Sequence, residues 1–160
     1  MQQSTPNMTE EHWDLPDEDA TRTLGQQLAA SLEGGLVIYL RGELGAGKTS
    51  FARALLTALG VGERIKSPTY SLVEGYQTRH RQPAWHLDLY RIADPGELEW
   101  LGLDALAEAT AIVLVEWPER GQGALPAPDL EVRLSYRGDG RHARLQAKTQ
   151  RGEQALARLG

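Results

Sequence analysis

The chain of 160 residues contains no cysteine. That absence excludes disulfides, thiolate catalysis and cysteine-based zinc sites together, and it suits a reducing compartment, so a cytoplasmic location is expected. Also missing is any run near the roughly 18 consecutive apolar residues that a membrane helix requires. The first twenty residues, "MQQSTPNMTEEHWDLPDEDA", lack the basic start and apolar centre of a signal peptide. Positive charge is in short supply: 17 Lys and Arg stand against 22 Asp and Glu, for a net charge of -5. No field draws the whole molecule onto nucleic acid, so DNA binding is not expected, and contact with RNA should be local or through a partner. The sole asparagine is Asn7, so there is no N-K-x-D guanine motif, which argues against a regulatory GTPase. The histidines, His12, His80, His86 and His142, are too widely separated for a close metal-ligand pattern and read as ordinary.

What is present fits one domain, long enough to bury a core. Residues 1–13 are polar and read as a flexible N-terminus, 14–149 as the domain, and 150–160 as a tail able to form a short helix. Ala20, Leu24, Leu28 and Leu32 recur at four-residue steps behind Asp17, Glu18 and Asp19, where a helix dipole favours acids; this predicts an amphipathic helix that ends by Gly34-Gly35. "LVIYL" (36–40) and "AIVLVEW" (111–117) are short apolar runs of the kind expected for strands buried on both faces. Between them, Phe51, Leu55 and Leu59 mark a second amphipathic helix, stopped by Gly60 and Gly62. "TYSLVEGY" and "AWHLDLYR" read as strands, and the alternation in the second puts Asp88 on a polar face with His86 and Tyr90. Asp94, Pro95 and Glu97 form a capping box for a helical segment. "DLEVRLSY" and "RHARLQAKT", joined by "RGDG", predict a hairpin with an Asp-Gly turn signal. The fold class is therefore α/β: a single domain with a mainly parallel core sheet, antiparallel additions and flanking helices.

The chemistry concentrates in "GELGAGKT" (42–49), an ungapped match to G-x-x-x-x-G-K-[ST]. Glycines let the backbone turn sharply and aim successive N–H groups inward, where they and the positive end of the following helix hold phosphate oxygens. Lys48 would reach the β- and γ-phosphates, and the Thr49 hydroxyl would bind Mg²⁺. Chance gives the four fixed positions in about 0.5% of chains this long, and here a buried strand precedes the loop and an amphipathic helix follows it.

Such a loop needs a second Mg²⁺ ligand and a group that positions water or an acceptor. Glu116 is one candidate, because "AIVLVE" is an apolar strand that delivers an acid at its C-terminal end, in Glu where Asp is usual. Asp88 is another. Both are hard oxygen ligands and both are potential bases, so their roles stay open. "KSPTY" (66–70) is a third element, since Pro68 favours an extended Ser67 in a stiff loop whose hydroxyls, Ser67 and Thr69, could respond to a γ-phosphate. Trp85, Trp100 and Trp117 read first as packing.

Five segments, "GELGAGKTSFARALLTALG", "KSPTYSLVEGY", "HLDLYRIADPGELEWLGLD", "LVEWPERG" and "LPAPDLEVRLSY", follow one another as in the TsaE family, older name YjeE, which this chain resembles from about Leu15 to about Ala147. The resemblance implies a P-loop domain that binds ATP and Mg²⁺ and hydrolyses ATP slowly. It implies partners, the TsaB and TsaD proteins, in threonylcarbamoyladenosine modification of tRNA at the adenosine next to the anticodon, with tRNA reached through that complex. It also implies roles. Gly45, Ala46, Gly47, Lys48, Thr49 and Ser50 hold phosphates, with Lys48 catalytic and Thr49 on Mg²⁺. Ser67 to Tyr70, Thr69 included, resemble a switch-like loop. Asp88 resembles the catalytic-site acid, Glu116 and Trp117 a Walker B-like pair, and Asp17, Gly140 and Arg141 lie in flanking segments that approach the nucleotide. Many members read GKTT where this chain has Gly47-Lys48-Thr49-Ser50, which keeps a hydroxyl. A small-molecule kinase would need an arginine-rich lid, for which "YQTRHRQPAW" is short; a nucleotide-binding module without hydrolysis is the other alternative.

Overall fold

The structure, a computed structural model, describes residues 9–61, 73–92, 96 and 106–159. Its framework is a seven-stranded sheet of β1 (Glu10–Leu15), β2 (Leu36–Gly42), β3 (Val73–Gln77), β4 (Pro83–Asp88), β5 (Ile112–Glu116), β6 (Leu130–Arg137) and β7 (Gly140–Ala147). The spatial order is β1-β7-β6-β2-β5-β4-β3. The block β6-β2-β5-β4 is parallel, and antiparallel pairs extend it on both sides, as expected. Among the described residues the helices are α1 (Glu18–Ser31), α2 (Lys48–Ala58) and α3 (Gln150–Leu159), none of them long and apolar enough to cross a membrane.

The central strands are apolar on successive residues because both of their faces are covered. All five residues of β5 are buried. On one face, Leu24 and Leu28 of α1 and Phe51, Leu55 and Leu56 of α2 pack on Ile38, Leu40, Leu114 and Val132. On the other, Leu87, Val113 and Val115 pack with Leu89, Ile92 and Leu106. Each large side chain so buried stabilises the fold by roughly 1.5–3 kcal/mol. Beyond β2, the sheet is covered on the helix face, where Leu134, Ala143 and Leu145 are buried, while Arg133 and Arg137 on the opposite face are exposed.

Local chemistry sets the element ends. Asp17 is the N-cap of α1, its carboxylate accepting from the Ala20 N–H at 2.9 Å. At the end of α2, Gly60 N–H donates to Thr57 and Val61 N–H to Leu56, the paired bonds of a Schellman motif. The buried Asp129 ties three starts together: its carboxylate accepts from the Val37 N–H at 2.9 Å and from the Thr149 hydroxyl at 2.7 Å, just ahead of α3.

Several expectations need correction or placement. The segment 1–13 was read as flexible, yet Glu10–Leu15 is a strand paired along its length with β7, because Leu15 is buried and Trp13 packs on the same core. The 150–160 tail holds α3, whose Ala155 and Leu156 are buried in that core. The hairpin forms, but its turn residues are Gly138-Asp139 and not Asp-Gly; the positive φ of 59° falls on Gly138, which suits a turn with glycine at its first central position. β4 carries no polar face: Ala84, His86 and Leu87 are all buried, since helices cover one side and the second core the other. The strand read from "TYSLVEGY" is described only as Val73–Gln77, and the capping box at 94–97 lies outside the described residues.

Gly42 shows why the loop must begin with glycine. Its φ is 148°, and a Cβ there would stand 2.3 Å from the carbonyl oxygen of Leu134, its register partner on β6. The residue is needed for the parallel pairing that launches the loop. Gly42→Ala is expected to lower unfolding free energy by about 1–3 kcal/mol, the cost of such backbone strain, as measured by urea denaturation; an unchanged midpoint would contradict this close approach.

Candidate functional site

The loop leaves β2 at Gly42 and enters α2 at Lys48, so its amides sit at the positive end of an eleven-residue helix. Gly45 and Gly47 have φ of 81° and 104°, the left-handed turns that make a concave run of N–H groups available only to glycine without strain. Two outside groups fix the loop's carbonyls. The Tyr136 hydroxyl at the end of β6 donates to the Leu44 carbonyl at 2.8 Å, and Arg141 on β7 donates to the Gly45 carbonyl at 3.3 Å while stacking over the Tyr136 ring.

Two cavities open on either side of the loop. One, of about 360 Å³, is lined by Asp17, Glu18, Thr21, the 45–47 turn, Ser50 and the hairpin residues Asp139, Gly140 and Arg141. The structure thus brings Asp17, Gly140 and Arg141, far apart in sequence, to the loop. The other, of about 250 Å³, is lined by the loop with Lys48 and Thr49, and by Asp88, Tyr90, Glu116 and Trp117. Gly45, Gly47 and Ser50 border both, so an elongated ligand could run from one to the other across the loop amides.

At the base of the second cavity is Glu116, whose side chain is only 3% exposed. Register places it beside Asp88 on β4 and Leu40 on β2, at the C-terminal end of the parallel block. Its carboxylate lies 3.0 and 3.2 Å from the Thr49 hydroxyl, and its Oε2 lies 2.7 Å from Nε2 of His86. With the carboxylate accepting, Nε2 carries the proton. His86 is fully buried, and among the described residues its Nδ1 has no partner. It was read as ordinary, and the signal that could have located it is the strand period, which puts it on Asp88's face one step earlier.

Lys48 is 4% exposed, bonded to the Gly42 carbonyl, with its Nζ 3.5 Å from the centroid of the Trp117 ring. Burial lowers its pKa from the ordinary lysine value, opposed by the negative charge of Glu116. Trp117 reaches that position because the chain turns sharply after Glu116, with φ of 58°, a left-handed conformation rare outside glycine. Its ring also meets Tyr90 at 5.1 Å, so two aromatic side chains wall the cavity. Asp88 accepts from the Tyr90 N–H at 3.1 Å through Oδ1; among the described residues Oδ2 has no partner. Burial raises its pKa, and the neighbouring Glu116 charge adds to the rise. Ser50 instead donates to Glu18 of α1 at 3.2 Å. Thr69 and the rest of "KSPTY" lie outside the described residues.

Residues 15–144 match the family model for the threonylcarbamoyl adenosine biosynthesis protein TsaE. The chain belongs to the TsaE family. It is 40% identical over 148 residues to the tRNA threonylcarbamoyladenosine biosynthesis protein TsaE of Haemophilus influenzae, covering 89% of this chain and 93% of that one. It is 33% identical over 127 residues to the TsaE protein of Bacillus subtilis, covering 79% and 78%. The crystal structure of Bacillus subtilis YdiB superposes with a TM-score of 0.79 at 27% identity, over 97% of each chain. Membership makes this chain a tRNA threonylcarbamoyladenosine biosynthesis protein of mixed α/β fold.

Two outcomes follow from the buried charges. Removing the His86 ring leaves the Glu116 carboxylate short of a donor in a dry site, so His86→Ala should cost about 1–3 kcal/mol of stability beyond any cavity effect, read by urea unfolding against Glu116→Gln/His86→Ala. For Asp88, a folded pKa above the ordinary 3.8 means that the native state binds the extra proton, so its contribution falls as pH rises from 3.8 through the raised value. Asp88→Asn should therefore raise the melting temperature at neutral pH and flatten this decline; a variant curve parallel to wild type across that range would refute the assignment.

Proposed function

We propose that the chain binds ATP with Mg²⁺ and hydrolyses it slowly in the cytoplasm, as the nucleotide-driven subunit acting with the TsaB and TsaD proteins in modifying the adenosine next to the anticodon of tRNA. The observation that carries this reading is the Thr49–Glu116–His86 chain beneath a glycine loop, beside Asp88. Thr49, Glu116 and Asp88 offer hard oxygens, the donor set that suits Mg²⁺. The cavity bordered by Asp17, Gly140 and Arg141 supports an adenosine end, and the loop amides of Gly45, Ala46, Gly47, Lys48, Thr49 and Ser50 support the phosphates.

Each residue's role follows from its surroundings. The Lys48 ammonium, drawn from solvent onto the Gly42 carbonyl and the Trp117 ring, is held where it meets phosphate oxygens at small cost in side-chain freedom. Thr49 and Glu116 would hold the metal, because Thr49 already engages the carboxylate that His86 orients. Mg²⁺, when bound, neutralises charge building on the β- and γ-phosphates. Asp88 positions the attacking water: burial raises its pKa, which favours its taking up a proton, and among the described residues its Oδ2 is available for a hydrogen bond. Trp117 and Tyr90 limit bulk water at this end. The transferase chemistry lies with the partners, since one small domain with one such site holds little else.

Steady-state phosphate release from ATP and GTP, with and without the TsaB and TsaD proteins, tests the proposal. ATP should be preferred and the rate should rise with the partners. Lys48→Ala should fold yet lose most turnover, and Glu116→Ala and Asp88→Ala should each lose roughly tenfold or more. An unchanged rate in Lys48→Ala would overturn the site.

A further inference from the structure

The open face of the β6-β7-β1 half-sheet carries a pattern that the nucleotide reading leaves unused. Register aligns Arg41 of β2 with Arg133 of β6, Arg133 with Arg144 of β7, and Arg144 with His12 of β1. Four basic residues therefore stand in one row across four adjacent strands. At about 4.8 Å between strands the row spans roughly 14 Å. Arg41 pairs with Glu131 and, at 3.5 Å, with Glu119, while Arg144 and His12 both reach Glu10, at 2.9 and 2.8 Å; Arg133, the centre of the row, is exposed and among the described residues has no ion pair. The Nε of Arg144 is buried and among the described residues has no partner. Lys148, 3.2 Å from Glu131, borders the same groove of about 300 Å³.

Like charges directly opposite one another on a sheet are destabilising. Arg133 has an arginine opposite it on both sides, in a chain whose net charge is -5 and which has acids enough to relieve it. A stability cost kept at the middle of an open face points to a partner that repays it. A linear polyanion does so, since guanidinium groups bind phosphate oxygens in pairs. The face suits RNA better than a protein, because no outward position of β6, β7 or β1 carries an apolar side chain, and protein interfaces rest on buried apolar anchors. Within a tRNA-modification family, the phosphate chain to hand is tRNA.

We propose that the Arg41–Arg133–Arg144–His12 row is a docking surface for the sugar-phosphate backbone of tRNA. It makes direct, sequence-independent contacts that orient the RNA without reading bases. This rests on family membership and on the sheet geometry, and not on ATP hydrolysis.

The test is binding of an unmodified tRNA transcript to the full chain by fluorescence anisotropy between about 50 and 200 mM salt, where phosphate contacts show themselves as a salt slope. Arg133→Glu should weaken binding about tenfold and lower the log–log salt slope by about 1. It should leave ATP turnover unchanged and cost no thermal stability. Lys148→Glu, at the rim, is the second variant should Arg133→Glu fold poorly, and should act in the same direction. Absence of salt-dependent tRNA binding by the wild type, or binding unaltered in both variants, overturns the proposal. So does loss of association with the TsaB and TsaD proteins while tRNA binding persists, which would assign the row to an acidic protein surface. Turnover read in the same samples keeps this outcome separate from any failure of the ATPase reading.

Discussion

One buried carboxylate organises the half of this molecule that holds the glycine loop. Glu116 ends the most deeply covered strand of the sheet, where an ionised group costs several kcal/mol unless hydrogen bonds replace the water it has lost. Two do: the Thr49 hydroxyl, from the first turn of α2, and His86, from β4. Meeting the needs of one acid thus ties together the loop helix, the central strand and the next strand outward. Parallel pairing adds to this, because only strands that run the same way end at the same edge, and β2, β5 and β4 deliver Gly42, Glu116 and Asp88 there together.

The loop itself is held from the other side. Its glycines make the amides available, but a backbone so free would be loose without outside support. Tyr136 and Arg141 supply that support by taking the Leu44 and Gly45 carbonyls, so the amides of the same turn remain directed at the cavity. The β6-β7 hairpin is for this reason more than an extension of the sheet. It reaches the loop because β6 pairs in parallel with β2 and its register carries on past Leu134, which faces Gly42. The strained backbone of Trp117 is maintained in the same spirit: its ring rests against Tyr90 and beneath the Lys48 ammonium, contacts that an extended residue at this position would forgo.

Much of this was readable in the sequence. The apolar runs at 36–40 and 111–116, the spacing of Leu24, Leu28, Phe51 and Leu55, and the motif at 42–49 all report local periodicity or local turn chemistry, and these the chain carries within a few residues. What was not readable depends on register between distant strands. His86 and Glu116 are thirty positions apart, and nothing local tells that the histidine faces a carboxylate and not a leucine. Tyr136, Arg141 and Asp17 meet the loop only because the hairpin and α1 fold back on it. β1 escaped notice because its six residues include three acids, and its strand character comes from a partner 130 residues away. The resemblance to TsaE singled out Asp17, Gly140 and Arg141, which pattern could not, and the fold brings all three to one cavity beside the loop.

The sheet divides its labour by how its two faces are covered. In β5 and β4 both faces are buried, and their two acids, Asp88 and Glu116, lie at the C-terminal ends of those strands. Past β2, helices cover one face alone, and the other is free to carry charge at every second residue. A solvated face needs only solubility, for which alternating Lys and Glu would serve best and would pair across strands. Arg133, Arg144 and Arg41 violate that pattern in register, in a chain with more acids than bases. Glu131, two residues before Arg133 on the same face, is taken by Arg41 and Lys148, and Glu10 by Arg144 and His12, so among the described residues Arg133 is the member of the row without an ion pair. The row lies on the sheet face opposite α1 and α2, because its arginines are sequence neighbours of Leu40, Leu134 and Ala143, which point into the core that those helices cover.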